Sequence, residues 1–520
     1  MNDSHYDTIV IGAGISGLIC GNYLSRAGKR VLLLEQNHQP GGNMAGFHRR
    51  GYYFDAGDQS FESLGIVFPI LRELGLYDPA DFTRLRYRMV SDNFDFYIDS
   101  LDGVETALRA AFPEEHGISE IFEEVRQVSR FLNENYAPDS FPLLNDFRLR
   151  HIPRAAKWLP RLRRWLTFDY REKIARRIQD PGLRTWFTHI GYKRMPFLFF
   201  AGFWHIWMQD YWYPNGGMQR FLDRLAGSFR EHGGEIRFNT MVDHIEVDES
   251  SARARSVVTA TGERLSAQQF VYAADYKRFV GEILDERYFK KRFVEKIREA
   301  ELTEEILSVY LGLDMPPQEL ASHLGAQHVF LFPNYDVIFP DEGSPRDVHS
   351  RMWVALNAFG GENPDGAPAG HSSLVLQTYS SYHWEDYWHN GSDADSRRDE
   401  YRRFKTEVAG ELVRTAERLV PKLASRIEYL DAGTPLSLKR FTRNTEGSTG
   451  GWCYDDKVSP VFRSPGFNMI KTPLSNLYAS GHYALWPGGV ISAVLSGRMV
   501  ANKVLGRRML SRMPQPLKYQ

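Results

Sequence analysis

An α/β fold is expected, with a dinucleotide-binding unit whose strands are interrupted by a second, α+β unit. Three observations predict it. The chain opens on a strand, a glycine-rich turn, a helix and a second strand that ends in an acid, "DTIVIGAGISGLICGNYLSRAGKRVLLLEQ". A second glycine pair follows within a few residues. Strand and glycine segments of the same kind then return near residue 215 and again beyond residue 444.

Thr8 to Ile11 is a short β-branched apolar run bounded by glycine, the pattern of a buried parallel strand. Gly12, Gly14 and Gly17 form G-x-G-x-x-G. The first permits the tight turn, the second lets backbone approach a pyrophosphate, and the third allows close packing of helix on strand. Ser16 to Ala27 has helical periodicity, and Ile15 and Ser16 stand at its start, where N–H groups are free to meet phosphate. Gly28 stops the helix and Arg30 to Leu34 forms the second strand, ending at Glu35 and Gln36. A carboxylate there accepts bonds from ribose hydroxyls and repels a 2′-phosphate, so FAD and NAD fit and NADP does not.

The stretch "QPGGNMAGFHRRGYYFDAG" separates FAD from NAD. A nicotinamide dehydrogenase would continue into a crossover helix. Here Gly41, Gly42, Asn43 and Met44 follow instead, as backbone suited to lie against the second half of an extended dinucleotide. This resembles the flavoprotein group that includes amine oxidases and carotenoid desaturases. The resemblance recurs at Pro214-Asn215-Gly216-Gly217-Met218, which starts the return to the FAD domain in carotenoid desaturases and their isomerase relatives. It implies that Val242 and Ala274 lie near the adenosine half. It recurs a third time in "NTEGSTGGW" and in "NLYASGHYALWPGGVISAVLSGRMVANKVLG", where Gly481, Gly488, Gly489 and Val490 correspond to the closing motif. His482 stands where the family often has an acid. It serves as a substitute ribityl contact or as a group on the substrate side, titrating near neutral pH.

The resemblance implies a discontinuous Rossmann-type FAD-binding domain with an interleaved substrate domain, the architecture of glutathione reductase and the amine oxidases. Residues 1–100, 211–290 and 431–520 are assigned to the first; 101–210 and 291–430 to the second. The substrate domain includes a basic and aromatic segment, 147–212, read as membrane-facing. There Arg148, Arg150, Arg154, Lys157, Arg161, Arg163, Arg164 and further cations interleave with Trp158, Leu159, Leu162, Trp165 and Leu166. Such a stretch can lie on anionic lipid with its rings in the acyl boundary, or it can be a solvated face with core contacts. Pro153 and Pro160 argue against one long amphipathic helix. In "MPFLFFAGFWHIWMQDYWYP", Phe199, Phe203, Trp204 and Trp207 are either buried core or the wall of a tunnel for a long apolar ligand.

Composition narrows the remaining choices. The 520 residues are 42% hydrophobic and 25% charged with a formal net charge of -1, so nothing draws the chain to nucleic acid. Cys20 and Cys453 are the only cysteines, which excludes a disulfide framework, and no metal site is expected, at His383 and His389 included. No apolar run reaches spanning length. The expected location is cytoplasmic, with peripheral membrane association. The expected activity is that of an FAD-dependent oxidoreductase resembling carotenoid (phytoene) desaturases, carotenoid isomerases and retinol saturases. It would desaturate, saturate or isomerise a hydrophobic polyene or isoprenoid by hydride transfer at flavin N5. Without a second dinucleotide motif, the electron acceptor is oxygen, a quinone or none. His482, Trp486, Asp58 and Gln59 are the catalytic candidates by position. The alternatives are a flavin amine oxidase and a non-catalytic prenylated-protein escort.

Overall fold

The computed structural model describes residues 6–57, 59–136, 152–166, 170–332, 337–343, 353–388, 398–454, 460 and 468–510. β1 (Tyr6–Ile11), α1 (Ile15–Arg26) and β2 (Val31–Leu34) follow one another as the periodicity predicts. All four residues of β2 are buried, as a parallel strand covered on both faces requires. β1 lies between β2 and the strand Arg264–Tyr272, parallel to both, with Ile9 opposite Leu32 on one side and Phe270 on the other. Glu235–Arg237 extends the sheet beyond β2. Antiparallel strands Arg253–Thr259 and Val242–Asp248 extend it the other way, and Leu477–Ala479 pairs with the end of Arg264–Tyr272. Strands from three distant parts of the chain thus complete one seven-stranded sheet.

A second seven-stranded sheet runs in the order Ile427–Gly433, Glu305–Leu313, Ser372–Ser380, Val354–Asn357, His328–Leu331, Tyr87–Val90, Asp95–Tyr97. The helix Arg398–Ala416 backs it, with Val408 and Leu412 buried against Leu374 and Leu376. Tyr87–Val90 and Asp95–Tyr97 lie within the first stretch that the sequence assigns to the cofactor domain. They join the second sheet because Tyr87–Val90 pairs in parallel with His328–Leu331.

The basic segment differs from its sequence reading. Ile152–Trp165 is one helix that contains Pro160. Trp158 and Trp165 are 4% and 0% exposed and pack on Phe131, so these rings belong to the core and not to a lipid boundary. The Trp158 indole N–H donates to Glu134 at 2.9 Å, which satisfies its polar edge. Lys157, Arg161 and Arg163 remain on the exposed side, beside a Leu159 that is 66% exposed. Arg148, Arg150 and the rest of 137–151 lie outside the described residues. No helix among the described residues is long and apolar enough to cross a membrane.

Candidate functional site

Three glycine-dependent contacts shape the first part of the site. Gly12 has φ +103°, open to glycine at little cost. A Cβ on Gly17 would stand 2.0 Å from the Gly12 carbonyl oxygen, so α1 sits on the turn as closely as backbone permits. The Gly41 N–H donates to the Ala13 carbonyl at 3.0 Å, which lays the Gly41-Gly42 turn against the first loop. No side chain caps α1, whose first backbone hydrogen bond is Leu18 N–H to Gly14. The preceding N–H groups and the helix dipole are therefore left for an anion.

Glu35 is buried at the end of β2. One carboxylate oxygen accepts from the Ala13 N–H at 2.8 Å; the other accepts from the Asn37 N–H at 2.9 Å and from its side-chain amide at 3.1 Å. A carboxylate has about four acceptor sites, so one remains for a ribose hydroxyl. Burial raises the Glu35 pKa, offset in part by those backbone donors.

The C-terminal helix Gly489–Val504 also begins without a side-chain cap, and its Gly497 would clash at 2.5 Å with the Ser16 carbonyl if it carried a Cβ. Ser16 at the start of α1, Ser480, and Ser496 in the middle of the C-terminal helix meet through their hydroxyls, and Ser496 accepts from the Gly481 N–H at 2.9 Å. Ile15 and Ser16 of one helix N-terminus and Gly489 and Val490 of the other line one cavity of about 1120 Å³ that opens to solvent. Gly12, Gly14, Ile15, Ser16, Glu35, Gln36, Gly41, Gly42, Asn43, Met44, Val242, Ala274, Gly481, His482, Gly489 and Val490 line it. Gly17 and Gly488 shape it from behind. The sequence reading missed Asn444, Thr449, Arg278 and Arg443, which also line it. Asn444 and Thr449 fall in the quoted "NTEGSTGGW" stretch, whose glycines and not whose polar residues drew attention.

The donor and acceptor set fits FAD. Two uncapped helix ends suit the phosphates and the flavin edge, and the Glu35 carboxylate suits the ribose. His482 lines this cavity, with its Nε2 buried and without a protein partner. Its expected titration near neutral pH is not what the structure gives: burial pushes the imidazole down to about 4, so it is neutral at pH 7.

A second cavity, about 930 Å³, adjoins the first. Thr449 lines both, and its carbonyl accepts from the Asn43 side chain at 3.1 Å. Tyr192, Phe203, Trp207, Phe330, Trp353 and Tyr379 give the wall its aromatic character. Of the four tunnel candidates, Phe203 and Trp207 line it. Trp204 is fully buried against Phe122 and Trp186, because its side of the helix Phe197–Gln209 faces the core. Phe199 packs edge-on against Trp486 at 4.7 Å.

Among the catalytic candidates, Gln59 lines the aromatic cavity and His482 the cofactor cavity, while Trp486 lines neither. Asp58 lies outside the described residues. His328, which no motif or spacing marked, stands in the aromatic wall. No group of three or more potential metal ligands occurs among the described residues, and His389 is not one of them.

Comparison with known proteins agrees with this geometry. A family profile described as "Flavin containing amine oxidoreductase" matches residues 15–505. An all-trans-retinol 13,14-reductase of Danio rerio is 23% identical, over 96% of this chain and 86% of its own length. A phytoene desaturase of Fusarium fujikuroi is 24% identical, over 97% and 90%. Among solved structures, the cyclohexylamine oxidase of Brevibacterium oxydans IH-35A has the same fold, with a TM-score of 0.58 at 15% identity over 96% of this chain and 99% of its own.

Proposed function

The chain belongs to the flavin containing amine oxidoreductase family, and from that membership we propose that it moves hydrogen to or from a long hydrophobic polyene or isoprenoid held in the aromatic cavity. FAD, when bound, supplies the centre that accepts or gives hydride. The protein's part is to place that cofactor through Glu35, the two glycine turns and the two helix ends, and to hold an apolar chain beside it with water excluded. The observation that carries this reading is the aromatic cavity meeting the cofactor cavity at Thr449.

An amine substrate is less well served. Among the described residues that line the aromatic cavity none is acidic, so an ammonium would meet no counter-charge there. Tyr87, Tyr192, Tyr211 and Tyr379 offer ring faces and hydroxyls, which suit a conjugated chain. An escort role without catalysis is disfavoured by the completeness of the FAD cradle. The purified protein should be yellow, with the flavin band near roughly 450 nm, and under anaerobic conditions its spectrum should respond to polyenes and not to amines. Bleaching by amines alone would transfer the protein to the amine-oxidising members. The acceptor, whether oxygen, a quinone or none, is then read from which one restores the oxidised spectrum.

The exposed side of the helix Ile152–Trp165 supports peripheral contact with anionic lipid. Lys157, Arg161 and Arg163 surround Leu159, which suits cations on anionic headgroups and an apolar side chain at the acyl boundary. Changing Arg161 and Arg163 to Glu should abolish flotation with anionic liposomes, and flotation unchanged by that charge reversal removes this face from consideration.

A further inference from the structure

The wall of the aromatic cavity is poor in groups that can trade a proton with solvent. Burial pushes the hydroxyls of Tyr87, Tyr211 and Tyr379 above the tyrosine range. It holds the His328 imidazole down at about 3, so none of these four residues titrates near neutral pH. Adding hydrogen across a double bond nevertheless consumes one proton beside the hydride exchanged with the cofactor, and removing hydrogen releases one of each. That proton needs a way through the wall.

A polar route adjoins it. On the face of the second sheet where Ala355 and Gln377 line the aromatic cavity, Asn357 and Val375 line a smaller cavity of about 450 Å³. Gln59 lines both cavities and forms a partition between them. Its amide nitrogen donates to the carbonyls of Asp55 at 2.9 Å and Gly57 at 3.2 Å, while Oε1 is buried with no partner among the described residues. Asn357 repeats the pattern: Nδ2 donates to the Val375 carbonyl and to Gln377 Oε1, both at 3.4 Å, and Oδ1 is buried and unmatched. Two buried acceptors on one polar cavity are partners of the kind that ordered water takes. Asn363 and Pro364 of the same cavity also line a surface hollow that holds Asp81, Glu362 and Asp365 beside Arg220 and Arg224. From solvent to the aromatic wall, then, each hollow shares residues with the next.

Asp55 stands along this path. One carboxylate oxygen accepts from the Tyr53 hydroxyl at 2.5 Å and the Met218 N–H at 3.0 Å. The other accepts from the Tyr213 hydroxyl at 2.7 Å, which leaves it an acceptor site for water. Burial holds this acid up at about 6 in spite of those donors. Tyr53, Tyr213 and Tyr310 face it, and burial pushes all three phenols upward, out of the neutral range. His371 lines the same cavity, its imidazole raised by the Ala369 carbonyl and by Glu428 and Asp314.

We propose that the polar cavity is a water-filled proton route into the aromatic cavity, in which Gln59 and Asn357 hold the water and Asp55 gives or takes the proton. When hydrogen is added to the chain, Asp55 loses a proton through that water to the carbon that does not receive hydride, and regains one from solvent through the outer hollow. When hydrogen is removed, the proton runs the other way. Water is held at the Gln59 partition and kept from the aromatic rings beyond it. The proposal rests on the reading that hydrogen moves to or from a chain in the aromatic cavity, and the experiment keeps the two apart.

A crystal structure of the FAD-loaded protein, at a resolution that shows ordered water, should place water on Gln59 Oε1 and on Asn357 Oδ1. For the kinetics, that protein is mixed anaerobically with a forty-carbon isoprenoid whose double bonds are isolated. After reduction by dithionite it is mixed instead with the fully conjugated counterpart, and the flavin band is followed through one turnover. Asn357→Leu should slow this turnover roughly tenfold or more and enlarge its solvent isotope effect in heavy water. Binding of the probe, read by quenching of Trp207 and Trp353 in the aromatic wall, should stay unchanged. The wild-type rate should change with a midpoint near pH 6, falling as pH rises where hydrogen is added and rising where it is removed. Asp55→Asn should lose that dependence and His371→Gln should keep it. A dry polar cavity, or a rate and isotope effect unaltered in Asn357→Leu, overturns the proton route and leaves the polyene reading standing. A wild-type flavin band that responds to neither probe overturns the polyene reading and the route with it. Should Asp55→Asn lose FAD through its bond to Met218, the Asn357→Leu kinetics and the crystallographic water decide.

Discussion

Gly17→Ala is expected to purify with a markedly lower FAD content. The added methyl would stand 2.0 Å from the Gly12 carbonyl oxygen and 3.4 Å from Val10 Cγ1. The first of these is backbone and has no rotamer through which to yield, so α1 must lift from the turn. That movement turns the uncapped N–H groups of α1 away from the cofactor cavity. Overpacking of this kind costs about 1–3 kcal/mol, so affinity for FAD should fall roughly tenfold to hundredfold. The ratio of flavin to protein absorbance after gel filtration measures it. Gly227→Ala is the matched control: Gly227 lies within the helix Met218–Glu231 with nothing within 4 Å of a new Cβ. There alanine should stabilise by about 0.5–1 kcal/mol with flavin content unchanged. Full flavin occupancy in Gly17→Ala would show that the close approach is not what positions the phosphates.

The second large effect is expected where three helices meet behind the cofactor. Arg498, on the C-terminal helix, has a fully buried side chain, and its guanidinium donates to both carboxylate oxygens of Glu73, at 2.7 and 2.9 Å. The Tyr23 hydroxyl of α1 donates to the same carboxylate at 2.5 Å. Glu73→Leu leaves the guanidinium in the core without its counter-charge. Removal of one partner of a buried pair costs about 3–5 kcal/mol, and with the Glu73 side chain 25% exposed the loss here falls toward the lower figure. Because Arg498 belongs to the helix whose N-terminus faces the cofactor cavity, flavin should be released at lower urea in the variant. The double variant Glu73→Leu/Arg498→Met should recover most of the midpoint, since it removes both charges and keeps the volume. A Glu73→Leu midpoint within about 1 kcal/mol of wild type would place this pair with surface ion pairs and dismiss the argument.

These two sites differ in how far the sequence revealed them. Gly12, Gly14 and Gly17 carry their meaning in their spacing, because the contacts that exclude a side chain form inside one strand, turn and helix. Glu35 is legible for the same reason: the second strand delivers it to the mouth of the first turn. Glu73 and Arg498 lie 425 positions apart, and no spacing signals that they meet. Trp158 and Trp165 interleave with cations in a way that suits a lipid surface as well as a core. The choice depends on what packs against the helix, and that is Phe131. Pro160 marks a break in the sequence pattern, yet the helix runs through it, because tertiary packing of the tryptophan face outweighs the lost backbone bond.

The sequence by itself determined the cofactor unit and its class of ligand. Its requirements there are steric and local: glycines where backbone touches backbone, free N–H groups at helix starts, an acid at a strand end. The tertiary structure alone decided what stands beside that cofactor. His328, Gln59, Trp207 and Thr449 come from four separate segments, and each is unremarkable in its own stretch. Only the closing of the second sheet against the helix Phe197–Gln209 brings them around one cavity. Burial in that cavity, a property of the whole fold, is what makes an ordinary histidine neutral.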